Sequence, residues 1–213
     1  MKIFYKLLDF LKNPEKAASY QPMKLSDFLS LLVLVLFVVI PYAYLLELAG
    51  MDQFESVLED ILKENKWLVA IFAILLAPLI EEPVFRLHLD LKKSSIWWSL
   101  VLSLLFAAAI WFPLIFVGYM IFLLVNVYDE NPPPLKLVVY VSAALFGLVH
   151  IANFKDFDYG LYFYYIPFLV GIQFLMGLVL SYIRLNHGMK WAMLFHGVYN
   201  AVLIIPSIYF YEP

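Results

Sequence analysis

Long apolar segments separated by short polar ones run along the whole chain. A helix needs about 20 apolar residues to cross a hydrocarbon core of ~30 Å, and this length sets the scale for the division into spans. We predict seven membrane spans, at about residues 25–49, 67–88, 95–112, 113–128, 135–153, 161–183 and 189–209. The spans at 95–112 and 113–128 rest on dividing one uncharged stretch at Pro113 into a tight hairpin. Gly171 and Gly177, in the sixth span, are predicted close-packing positions.

Two segments outside the spans have amphipathic patterns. Residues 1–24 alternate lysine with apolar residues and lack the apolar core of a cleavable signal peptide. We expect a helix lying on the membrane surface through Phe4, Leu7, Leu8 and Leu11, the alternative being a flexible basic leader. Residues 50–66 are acidic and are predicted to form a short surface helix. The domain organisation is therefore a surface helix at 1–24 and a bundle at 25–213.

Composition supports a membrane protein. Of the 213 residues, 64% are hydrophobic and 15% are charged, whereas soluble domains are ~45–50% apolar and ~25% charged. The predicted fold class is all-α, a polytopic transmembrane helical bundle. The absence of cysteine excludes disulfides, thiolate metal sites and a cysteine nucleophile. There is no basic patch or glycine-rich phosphate loop, so nucleic acid is not an expected partner.

The distribution of lysine and arginine predicts the orientation of the bundle. With the N-terminus inside, three of the 14 basic residues lie outside, namely Lys63, Lys66 and Lys155. Cytoplasmic segments of membrane proteins carry the excess of basic residues, so we expect a cytoplasmic N-terminus. We expect an integral protein of a bacterial cytoplasmic membrane, with the lipid bilayer as a partner.

Charged side chains in the second span stand out. A charge in hydrocarbon costs at least ~2.5–3.5 kcal/mol on insertion scales, so such residues need partners or a function. Glu82 and Arg86 are four residues apart and can pair on one helical face, whereas Glu81 projects about 100° away from Glu82. One glutamate is thus held by the arginine while the other is available for chemistry. The fifth and seventh spans add the polar side chains of His150, His196 and Asn200.

These polar groups suit the activation of water, provided that they converge in a dry cavity. A glutamate can act as general base, and a neutral histidine can orient the same water or bind a metal. A second histidine and an amide can donate to an oxyanion. The helical rise places Glu81 and His196 at similar depths, roughly 10–15 Å from the inner surface, and His150 deeper at roughly 20 Å. Tilt or a longer cytoplasmic end of the fifth span would be needed to close that gap.

Three ordered motifs sharpen this interpretation. They are Glu81-Glu82-Pro-Val-Phe-Arg86, Phe146-Gly-Leu-Val-His150 and His196-Gly-Val-Tyr-Asn200, each in an apolar span. With them the chain resembles the CPBP family of intramembrane proteases, also called the Abi family, relatives of the CAAX prenyl protease 2 enzymes. The resemblance covers about residues 68–205 and implies an endopeptidase with its core at about 67–209. A peptide or membrane-protein substrate is the implied partner.

The resemblance also implies roles for single residues. Glu81 and His150 would hold the attacking water, and His196 and Asn200 would form the oxyanion site. Glu82 and Arg86 would support this site. The family is described both as metal-dependent and as metal-free. We favour no cofactor, with Zn²⁺ or another divalent ion on Glu81, His150 and His196 as the alternative.

Two departures and two other functions stand beside this prediction. Leu87 occupies a position where the family often has glycine, and the spacing from Glu82 to His150 is unusually long. Buried Glu, Arg and His side chains also mark proton or ion relays, which leaves a coupled transporter as an alternative, although no inverted repeat is visible. A non-catalytic scaffold or immunity protein is the other alternative. We interpret His88, near a span end, as interfacial.

Overall fold

A computed structural model describes residues 2–54, 65–104 and 112–210. Every regular element in these ranges is helical, which confirms the predicted all-α class. In chain order they include α1 (Lys2–Lys12), α2 (Leu25–Leu48), α3 (Asn65–Asp90), α4 (Lys93–Ser103), α5 (Phe112–Tyr128), α6 (Leu135–Val149), α7 (Tyr159–Leu169), α8 (Gly171–His187) and α9 (Met189–Phe210). Short 3₁₀ turns lie at Met51–Gln53 and at His150–Asn153, where the second extends α6.

Four helices in the described ranges are long and apolar enough to cross a membrane, namely α2, α3, α6 with its extension, and α9. A fifth span forms if α7 and α8, which meet at an angle of 43°, are taken together. Helices dominate because a backbone in hydrocarbon must satisfy its own N–H and C=O groups. The predicted limits of the first, fifth and seventh spans agree closely with these helices.

The predicted count of seven spans is not confirmed. The third and fourth predicted spans fall on α4 and α5, whose described residues are fewer than a full crossing needs and which pack against each other. Residues 105–111, in the predicted hairpin next to Pro113, lie outside the described residues. Most of the predicted surface helix at 50–66 also lies outside them.

Glycines allow the closest helix contacts. A Cβ at Gly177 would lie 2.9 Å from Ala143 Cα, so α8 and α6 touch backbone to backbone there. A Cβ at Gly171 would lie 2.6 Å from the Tyr42 hydroxyl of α2. Both predicted close-packing positions are confirmed. The sixth span, predicted to end at about residue 183, continues in α8 to His187, and Gly188, with φ of 96°, ends the helix.

The N-terminal helix packs one of its faces against the bundle. In α1 the buried side chains are Ile3, Leu7 and Phe10, which join the core of the bundle, whereas Phe4 is exposed. The Tyr140 hydroxyl of α6 also donates to Leu11 O. The protein-packed face of α1 is therefore Ile3, Leu7 and Phe10, and Phe4 of the predicted membrane face stays outside the bundle.

Candidate active site

The helix that carries the two glutamates is irregular. In α3 the segment Phe72–Leu76 is π-helical, Ala77–Arg86 is α-helical and Leu87–Asp90 is 3₁₀. The Ala77 N–H donates to Phe72 O, five residues back, and the next residue, Pro78, has no N–H to continue an α-helical ladder. A π-turn inserts an extra residue and shifts the phase of the side chains that follow, and such turns are frequent at functional sites.

Glu82 is the centre of a buried charged cluster. Its side chain is fully buried, and Oε1 accepts a hydrogen bond of 2.9 Å from His196 Nδ1 of α9. The same Oε1 lies 3.5 Å from Arg86 NH1, and Arg86 is fully buried as well. The predicted Glu82–Arg86 pair is therefore present, and His196 is a second partner that sequence spacing did not predict.

Glu81 faces the other nitrogen of the same imidazole. Its Oε2 lies 3.8 Å from His196 Nε2, and its side chain is 15% exposed, whereas that of Glu82 is not exposed at all. Glu81 thus combines a looser contact with access to a small amount of solvent. A group that takes a proton from water needs this combination. Glu82 lacks it, because it is fully buried and already contacts His196 and Arg86.

His150 lies at the C-terminal end of α6. Its Nδ1–H donates to Phe146 O at 2.7 Å, which leaves Nε2 of the neutral ring as an acceptor. The side chain is half-buried, and its ring packs against Phe146, whose ring also packs against His196. The acceptor Nε2 is suited to holding a water molecule.

Phe146, the first residue of the second motif, contacts residues of all three motifs. Its buried ring lies 4.8 Å from the His150 ring and 6.0 Å from the His196 ring, between centroids. The Arg86 guanidinium carbon lies 3.9 Å from the Phe146 centroid, within the range of a cation–π contact. Its position in the Phe-x-x-x-His motif was the available signal.

Asn200 makes its hydrogen bond to the backbone of α3, and its implied oxyanion role stays a prediction. Its Nδ2 donates to the backbone carbonyl of Ala73, at 2.7 Å, inside the π-helical turn of α3. The structure therefore brings Glu81, Glu82, Arg86 and His196 into direct contact and His150 beside them. Asn200 contacts the backbone of α3, the helix that carries both glutamates.

His88 also departs from its interpretation as interfacial. Its side chain is fully buried, and its ring Nδ1 lies 3.3 Å from Ser99 Oγ of α4. The ring is packed edge-on against Phe116 and Tyr119 of α5. His88 therefore joins α3 to the α4–α5 pair.

The predicted metal set does not form a metal centre. Across residues 2–54, 65–104 and 112–210, no group of three or more His, Asp or Glu side chains is arranged to hold a metal ion. Glu81, His150 and His196 as placed here do not fit a divalent ion.

Comparison with protein families supports the resemblance drawn from the motifs. The family model "Type II CAAX prenyl endopeptidase Rce1-like" matches residues 113–202. This range contains His150, His196 and Asn200 and lies after the Glu81–Arg86 motif in the chain. Comparison with curated proteins and with solved structures gives no match. The predicted likeness to the CAAX protease family is confirmed over this part of the chain.

Proposed function

We propose that this chain, which matches the type II CAAX prenyl endopeptidases over residues 113–202, hydrolyses peptide bonds inside the membrane through a glutamate-activated water. The observation that carries the proposal is the pair of carboxylates on either side of one buried imidazole, in helices that are otherwise apolar. Each buried charge in an apolar helix is costly, so the ionisable side chains gathered here support a functional site.

Glu81 is the general base in this proposal. A water held between the Glu81 carboxylate and His150 Nε2 gives a proton to Glu81 as its oxygen attacks the carbonyl carbon of the peptide. The C–N bond then breaks, and the proton passes from Glu81 to the departing amine. The contact of Glu81 with His196 at 3.8 Å is loose enough to leave one carboxylate oxygen for the water.

His196 stabilises the charge that develops on the substrate oxygen. Glu82 accepts from Nδ1–H and so holds the ring in one orientation, with Nε2 directed toward Glu81 and the substrate. In this step the ring is protonated on both nitrogens, and Nε2–H donates to the oxyanion of the tetrahedral intermediate. Arg86 balances the charge of Glu82, and the ring of Phe146 shields this inner cluster from water.

The cytoplasmic side gives access to the site in this proposal. Lys92 and Lys93 follow directly after the inner end of α3. At the same end, Asp90 Oδ2 lies 3.5 Å from Arg184 NH2 of α8. The basic residues at this end favour the cytoplasm. The substrate class is a peptide segment of a membrane protein, because a site between apolar helices is reached from the bilayer.

The test is proteolysis by purified protein in liposomes. Peptides released from co-reconstituted membrane proteins are identified by mass spectrometry for the wild type, for Glu81→Gln and for Glu47→Gln. Glu47 is an exposed glutamate of α2 and serves as the matched control. Cleavage should persist with Glu47→Gln and be lost with Glu81→Gln, while both variants keep the wild-type melting temperature. Wild-type cleavage products that persist in folded Glu81→Gln would refute the proposal, as would the absence of wild-type products accompanied by proton or ion flux.

A further inference from the structure

One carbonyl in the π-helical turn of α3 has no helical donor. Ala73 O would receive the N–H of residue 77 in an α-helix or that of residue 78 in a π-helix. The Ala77 N–H is taken by Phe72 O, and residue 78 is a proline without an N–H. A carbonyl left unpaired inside an apolar bundle is costly, so this turn needs a donor from another element.

Asn200 supplies that donor across the interface between α9 and α3. Its Nδ2 lies 2.7 Å from Ala73 O, in a sequence separation of 127 residues. Gly197, on the same helix, makes the approach possible, because a Cβ there would lie 2.7 Å from Ile74 O and 3.8 Å from the Pro78 ring. Asn200 and Gly197 of α9 therefore both contact the π-turn of α3.

The same helix binds the glutamates one turn earlier. His196 of α9 contacts Glu81 and Glu82, and Asn200 contacts the turn that precedes them in α3. α9 is thus attached to α3 on both sides of Pro78. The register of the π-turn decides the direction in which the following side chains project, so the Asn200 bond bears directly on where Glu81 points.

We propose that Asn200 is a positioning residue, which fixes the π-turn of α3 by donating to Ala73 O and thereby aims Glu81 at the reacting water. The proposal rests on the proposed function of Glu81 and differs from an oxyanion role for Asn200. The distinguishing feature is Pro78. If Asn200 compensates for the N–H that Pro78 lacks, then restoring this N–H must reduce the need for Asn200.

A double-mutant cycle between Asn200 and Pro78 tests this coupling. Asn200→Ala should lower kcat by about 10- to 100-fold with little change in KM, because small misplacements of a catalytic group have effects of this size. Pro78→Ala restores an N–H that can donate to Ala73 O or Ile74 O. The kcat loss caused by Asn200→Ala should therefore be much smaller in the Pro78→Ala background. An oxyanion donor would be needed equally in both backgrounds.

Stability gives a second readout that does not depend on cleavage. Asn200→Ala should lower the melting temperature in detergent and speed amide hydrogen exchange in the peptide 72–86, and Pro78→Ala should reduce both effects. Equal losses of kcat in the two backgrounds, or full activity of Asn200→Ala, would overturn the proposal. Coupled melting temperatures without any cleavage by the wild type would instead refute the proposed function and leave the Asn200–Ala73 bond as a structural one.

Discussion

Replacing Glu82 by glutamine should destabilise the protein far more than the same change at Glu81. In the wild type, Glu82 Oε1 accepts from His196 Nδ1 at 2.9 Å and lies 3.5 Å from Arg86 NH1. The glutamine oxygen can still accept from His196, so the shape and this hydrogen bond are kept. Only the negative charge that faces Arg86 is lost.

The magnitude follows from the burial of Arg86. Its side chain is fully buried, and none of its three guanidinium nitrogens has a hydrogen-bond partner among the described residues. The contacts that stabilise its charge are Glu82 and the rings of Phe146, at 3.9 Å, and Phe85, at 5.7 Å. Leaving a buried charge without its partner costs ~3–5 kcal/mol, which corresponds to a fall of roughly 6–20 °C in melting temperature for a chain of this size. Glu81→Gln should change the melting temperature little, because Glu81 makes a looser contact and is partly exposed.

The assay is thermal unfolding in one detergent at one scan rate, because membrane proteins often unfold irreversibly. Glu81→Gln and Glu82→Gln are compared with the double variant Glu82→Gln/Arg86→Gln, in which both charges are removed together. Replacing both members of a buried ion pair is often close to neutral, so the double variant should recover most of the lost stability. The reasoning is wrong if Glu82→Gln has the melting temperature of the wild type, or if Glu82→Gln/Arg86→Gln is no more stable than Glu82→Gln.

Three further predictions concern packing and orientation. Gly197→Ala should destabilise the bundle by ~1–3 kcal/mol in the same melting assay, because its Cβ would lie 2.7 Å from Ile74 O. Phe146→Leu should lower the free energy of unfolding by about 2 kcal/mol, because the desolvated cation–π contact with Arg86 is lost. In a double-mutant cycle of melting temperatures, this loss should be smaller in the Arg86→Gln background. Reporter fusions after Lys155 should read outside and after Gly188 inside, and the reverse readings would contradict the predicted orientation.

The apolar pattern by itself determined where most helices lie. Hydropathy is a local property, and a helix is the one open element whose backbone groups are satisfied within its own segment in lipid. For this reason the limits of α2, the extended α6 and α9 were predictable from sequence. The positions 135–153 and 189–209 agree with the structure at both ends. The motif spacing likewise identified Glu82 and Arg86 as an ion pair, because residues four apart share a helical face.

The tertiary structure decided which polar groups meet. The Glu82–His196 bond joins residues 114 apart and the Asn200–Ala73 bond joins residues 127 apart, and no spacing rule reaches so far. Both depend on how α9 packs against α3, whose helical phase is shifted by the π-turn at Phe72–Leu76. A prediction that assumed regular helices could place Glu81 and Glu82 100° apart. It could not find that one imidazole of another helix lies between them, since that follows from packing and not from local periodicity.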